Sequence, residues 1–116
     1  MPRRRGQIIK QARERIARIQ ETLNAMDYFC SGTLLQRMKI CGNPGCRCAR
    51  DPDGRHGPYY QWGRMKGGRL VHRTVSSEQA NILRRAIANY RKARKLMKAW
   101  EEETERLMDS EGADKS

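Results

Sequence analysis

The sequence predicts an α+β fold: two long helices, packed as an antiparallel coiled stalk, flank a small three-stranded antiparallel sheet built around a cysteine-rich turn. Three observations carry this prediction. Apolar residues recur at steps of three and four near both ends of the chain. The rhythm changes to alternation in the middle, and three cysteines and a histidine crowd into residues 41–56.

The first element falls within residues 1–30. Ile9, Ala12, Ile16, Ile19, Leu23, Met26 and Cys30 form an a/d seam, and Glu14, Arg15, Arg18 and Glu21 fill the polar face. A helix over about 3–29 follows, with Gly32 as its expected stop. Residues 31–75 form the middle module. Its strands are Thr33 to Ile40, Tyr59 to Met65 and Arg69 to Val75, the last two joined by a three-residue loop, Lys66-Gly67-Gly68. The second helix is predicted over 76–108. Ser76 and Gln79 have capping-box spacing, and Leu83, Ala86, Tyr90, Ala93, Met97, Trp100, Thr104 and Leu107 continue the seam. Residues 109–116 read as a disordered acidic tail.

Neither helix is stable on propensity alone, so each seam needs a partner. An intrachain antiparallel pair satisfies both and sets Arg3, Arg4 and Arg5 beside Glu101 to Glu105. An intermolecular coiled coil satisfies them as well, and a homodimer through the helices is compatible with either.

The chain has 116 residues, 37% apolar and 33% charged, with one Phe, which excludes a large core. The net charge of +12 is uneven: residues 1–100 carry 23 Lys/Arg against 6 Asp/Glu, and residues 101–116 carry 2 against 7. A basic body of this kind suits a polyanionic partner. No apolar run approaches the roughly 18 residues of a membrane span, and the basic N-terminus lacks the core of a signal peptide. A cytoplasmic protein with reduced thiols is therefore expected, and its cysteines read as metal ligands.

Those ligands follow the order C-x4-C-x-C-x7-H. Asn43-Pro44-Gly45 supplies a turn that returns Cys41 toward Cys46, and an extended segment would point Cys46 and Cys48 to one side. His56 completes a set suited to structural zinc, with Cys41, Cys46 and Cys48 as thiolates. An iron–sulfur cluster recruiting Cys30 as its fourth ligand and a metal-free cysteine loop stay open as alternatives. Four protein ligands leave no coordination position for a reaction. With no nucleophile–base pair, phosphate loop or acidic metal cluster, neither an enzyme nor a small-molecule substrate is expected. Cys30, Tyr90 and Trp100 read as seam residues and His72 as a strand residue, while Asp51 and Asp53 are loop carboxylates without evident partners.

Arg64, Lys66, Arg69 and Arg73 gather on the hairpin, and Arg47 and Arg50 lie beside the cysteines. Interleaved with Tyr59, Tyr60 and Trp62, they suit duplex phosphates or stacked bases. In the competing reading the aromatics pack against the helices. These six cations are the expected nucleic-acid contacts, with DNA favoured over RNA.

Gly32-Thr33-Leu34, the CGxxxCxC run from Cys41 to Cys48, and His56-Gly57-Pro58-Tyr59-Tyr60 together resemble a family of small basic prokaryotic proteins built on a domain of unknown function. The resemblance spans about residues 30–95 and brings no established activity. Tyr59 to Val75 is also similar, more weakly, to the arm-binding domains of phage-type integrases. The expected function is a zinc-stabilised nucleic-acid-binding protein, an accessory or regulatory factor of a mobile element. The alternative is a protein-interaction adaptor acting through the stalk.

Overall fold

The computed structural model describes residues 2–112. In chain order it contains helix α1 (Pro2–Asn24), strand β1 (Thr33–Lys39) and two short 3-10 turns (Arg47–Ala49 and Pro52–Gly54). Strands β2 (His56–Lys66) and β3 (Arg69–Val75) and helix α2 (Ser77–Gly112) follow. The α+β class and the three-stranded antiparallel sheet hold. The strand order is β1-β2-β3, with β2 in the centre. No helix among the described residues is long and apolar enough to cross a membrane.

Several boundaries differ from the sequence expectation. Helix α1 ends at Asn24, about five residues early, because the chain is needed elsewhere. The Asp27 carboxylate accepts from Asn89 Nδ2 at 3.2 Å, and the Cys30 amide donates to the Ala86 carbonyl at 3.3 Å. Gly32 therefore marks the start of β1 and not the end of α1. The hairpin loop has two residues and not three, since Lys66 pairs with Arg69 across Gly67-Gly68. Both glycines have positive φ, 60° and 78°, as a tight hairpin turn matched to strand twist requires. Helix α2 runs on to Gly112, so residues 109–112 of the expected disordered tail are helical, and 113–116 lie outside the described residues.

The chain divides into two compact units: Tyr28–Ala88, and the residues up to Asp27 together with those from Asn89 on. In the sheet unit, alternation sorts the side chains. Leu34, Tyr60, Trp62 and Val75 share one face by register. They pack with Ala80, Leu83 and Ile87 of α2 and with Cys30. The start of α2 is fixed by a complete capping box. Ser76 N donates to Gln79 Oε1 at 2.9 Å, and Gln79 N donates to Ser76 Oγ at 3.1 Å.

In the helix unit, Arg15 Nη1 donates to Glu103 Oε1 at 3.2 Å. With the Asp27–Asn89 contact, positions rise along α1 as they fall along α2. Arg15 stands opposite Glu103, within the acidic stretch that the sequence reading set beside Arg3, Arg4 and Arg5; the Arg3 side chain lies outside the described residues. The buried stripe of α2 also shifts. Ala93 and Glu103 are buried, while Met97 and Thr104, expected in the seam, are exposed.

Candidate metal centre

The segment from Cys41 to His56 is built from local turns that converge four side chains. Asn43 accepts from the Cys46 amide through its carbonyl at 3.0 Å, and its Oδ1 accepts from Gly45 N at 3.0 Å. With Pro44 and Gly45 at the centre, this is the turn the sequence calls for. Cys46 then sits just before the first 3-10 turn and Cys48 within it. Their proximity comes from that turn and not from the extended segment expected. Asp51 opens the second turn. Its Oδ1 accepts from Asp53 N at 2.9 Å, with Pro52 at the first position. Its Oδ2 accepts from Arg47 Nε at 2.9 Å and lies 2.9 Å from Arg47 Nη2. The chain leaves this turn into β2, whose first residue is His56.

Cys41, Cys46, Cys48 and His56 thereby place one ligand atom each, all within 4.8 Å of one another. Cys41 Sγ lies 3.4 Å from Cys48 Sγ, and Cys46 Sγ lies 3.2 Å from His56 Nε2. Metal–ligand bonds of about 2.0–2.3 Å in a tetrahedron set ligand atoms about 3.3–3.8 Å apart. The two closest pairs lie near that range and the widest spacing exceeds it, so the four donors are close enough together to hold a metal ion after a small adjustment. Cys48 is buried and Cys41 is exposed, so the cluster opens on one side.

One of the thiols is shifted toward the thiolate that a metal takes. The Cys46 thiol is lowered to about 6, first by the hydrogen bond from the Cys48 backbone and then by contacts with the Cys48, His56 and Cys41 side chains. The Cys41 amide donates to Cys48 Sγ at 3.3 Å. That favours the Cys48 thiolate, but burial and the neighbouring thiols outweigh it, and the Cys48 thiol is pushed up. His56 is raised, chiefly by its hydrogen bond to Cys46. Cys30 stands apart. It packs on the core beneath the sheet, and burial raises its thiol. His56 and not Cys30 completes the cluster.

The expected cations separate into three environments. Arg47 is held by Asp51, as described. Arg64 lies with its Cζ 3.8 Å from the centre of the Trp62 ring, and its Nη1 is buried without a hydrogen-bond partner. Arg50, Lys66, Arg69 and Arg73 are exposed, and none has an ion pair among the described residues. By register, Arg64, Lys66, Arg69 and Arg73 all lie on the sheet face that carries Trp62. Lys66 stands directly opposite Arg69, a like-charge pairing that costs stability. Sequence reading grouped Tyr59, Tyr60 and Trp62 together; the pleat divides them. Tyr60 and Trp62 pack toward α2, and Tyr59 lies on the other face, under Lys39 at 5.0 Å. Period-two counting from Val75 would have made this division. Arg84, 5.3 Å over the Tyr60 ring, carried no signal beyond its charge.

No curated protein and no solved structure matches the chain. The sequence model of the domain of unknown function DUF6788 matches residues 9–85, beginning earlier and ending earlier than the resemblance read from the motifs. That match covers the sheet, the cysteine–histidine cluster and most of α1, and the chain belongs to this family.

Proposed function

We propose that the protein binds nucleic acid, DNA before RNA, through its sheet unit, with a structural zinc ion in the Cys41–Cys46–Cys48–His56 cluster. One observation carries the reading. The three strands hold six Lys/Arg and no Asp/Glu. Residues 28–88 as a whole hold eleven Lys/Arg against three Asp/Glu, a net charge of +8. A sheet selected only for stability would interleave opposite charges across its strands. Uniform cationic charge instead suits phosphates.

Within this reading the metal cross-links the loop before β2 and so fixes the base of the sheet. Three thiolates and one imidazole suit zinc among the common cellular metals. Lys66, Arg69 and Arg73 supply exposed phosphate contacts, joined by Arg50. Arg64 is stacked on Trp62, which holds its guanidinium plane in a fixed orientation with Nη1 turned inward, so it adds positive charge beside the exposed cations. Tyr60 and Trp62 are engaged in packing, which favours duplex phosphates over base stacking. The helices serve as an antiparallel stalk, and an accessory role on a mobile element is the setting in which we place the activity.

Titration of metal-loaded protein into labelled duplex DNA, single-stranded DNA and RNA, beside an unrelated protein of similar charge, tests the proposal. Duplex binding well above that control is expected. Binding equal to the control on every polymer would contradict it and favour the adaptor reading.

A further inference from the structure

The cysteine–histidine cluster is built for a second chemistry besides ligation. Cys41 Sγ lies 3.4 Å from Cys48 Sγ, and the Cys41 amide donates to the same sulfur at 3.3 Å, which holds the two residues together. Cys46 is engaged elsewhere, with its Sγ 3.2 Å from His56 Nε2. Cys46 and Cys48 are also separated by one residue where a 3-10 turn begins, a span too short for an unstrained disulfide. Cys41 and Cys48 are therefore the pair best placed to bond to each other.

Access differs across this pair. Cys41 is exposed and Cys48 is buried. Every residue from Cys41 to Gly45 is exposed, and Cys48 is the one buried residue among those described between positions 41 and 56. A small solute thus reaches the Cys41 sulfur directly, with a second sulfur held behind it. An accessible thiolate beside a resolving thiol is the arrangement that oxidants convert to a disulfide.

The order of the ligands along the chain gives that conversion a structural effect. Cys41, Cys46 and Cys48 all precede β2, and His56 is its first residue. A metal on all four donors ties the loop to the strand. A Cys41–Cys48 disulfide lies wholly inside the loop and makes no such tie. It also leaves only Cys46 and His56 as donors, too few for a four-coordinate ion.

We propose that Cys41 and Cys48 are a peroxide-sensitive pair, whose oxidation to a disulfide releases the metal and uncouples the loop from the sheet. This rests on the metal reading above. The Cys41 thiolate attacks one oxygen of hydrogen peroxide, the O–O bond breaks, and hydroxide leaves a sulfenic acid on Cys41. The Cys48 thiolate then attacks that sulfur and displaces a second hydroxide as the S–S bond forms. Two electrons pass from the sulfurs to the peroxide, and two protons from solvent turn both hydroxides into water.

The test uses the full chain, first shown by elemental analysis to hold one zinc ion. It is treated with hydrogen peroxide beside an untreated sample, with a chromogenic chelator reporting free zinc. Release of one ion per chain is expected, with loss of two thiols and fragment ions that place the bridge between Cys41 and Cys48. Reductant and zinc should restore the starting state, and amide exchange across residues 41–56 should be faster in the oxidised protein. Cys30→Ser should respond as the wild type does. Zinc retained under peroxide that oxidises a free cysteine peptide overturns the proposal. So does a bridge on Cys46 or Cys30, release with sulfinic acids and no bridge, or a Cys30→Ser chain that keeps its zinc. A chain that holds no stoichiometric zinc before peroxide is added contradicts the metal reading itself and the proposal with it. Failure only after peroxide leaves that reading standing.

Discussion

Gly32 shows how one residue can fix the geometry of the sheet. Its φ is +122°, and a Cβ there would lie within 2.5 Å of Trp62 Nε1 and closer still to the Gly63 carbonyl. Trp62 Nε1 donates to the Ser31 carbonyl at 3.0 Å, so the indole is clamped against this bend and in turn carries Arg64. Gly32→Ala should therefore cost about 3 kcal/mol of unfolding stability, read by chemical denaturation. A substitution at Gly67 meets open space and only its positive φ, so it should cost less. The cysteines separate by the same reasoning. Cys48→Ser should abolish stoichiometric zinc binding, because it removes the one buried ligand. Cys30→Ser should retain one zinc ion per chain by elemental analysis. Loss of metal in both variants would place Cys30 in the centre and contradict the assignment of His56.

At the scale of elements, the helix start and the sheet were legible in the sequence because each rests on local chemistry. Ser76 and Gln79 stand at the one spacing that closes a capping box, and both bonds form. Ser76→Ala should cost about 1 kcal/mol, checked by the shift in denaturation midpoint. The glycine pair likewise announced the hairpin, although its length was misjudged by one residue. Turn type depends on which residue closes the ladder, and composition does not specify that. The end of α1 was not legible. The apolar rhythm runs on through Met26 and Cys30, but contacts from Asp27 to Asn89 and from Cys30 to Ala86 draw the chain out of the helix. Both are separated by more than fifty residues, so no local pattern encodes them. The buried Glu103 was missed for a related reason: its charge argued for solvent until Arg15 was seen beside it. Removing that partner leaves a buried carboxylate that, among the described residues, only the more distant Arg106, at 3.9 Å, addresses. Arg15→Ala should thus destabilise the helix unit by about 1–3 kcal/mol, while Glu103→Met should cost less or nothing. Thermal melts of the two variants check the order. The metal cluster was legible as a ligand set, since C-x4-C-x-C-x7-H leaves few other uses for those side chains. Its geometry depends on two 3-10 turns that the sequence reading did not anticipate, since it left Asp51 as a loop carboxylate without a partner.

Across the whole molecule, the basic charge and the cysteine–histidine cluster fall in the same sheet unit. The +12 net charge is concentrated in residues 28–88, while the acidic residues gather toward the end of α2, away in sequence from the strands. Stripping the metal with a chelator should loosen the Cys41–His56 segment, seen as faster proteolysis there, because that stretch has turns but little buried apolar area of its own. The central claim is that the acid-free sheet meets phosphates. The most direct measurement is the salt dependence of duplex DNA binding for wild-type protein and for the Lys66→Gln, Arg69→Gln, Arg73→Gln variant. Each phosphate contact contributes about 0.9 to the slope of log affinity against log salt, so the triple variant should flatten that slope by about 2–3 and weaken binding at low salt. An unchanged slope, with wild-type affinity retained, would contradict the claim that this face of the sheet is the binding surface.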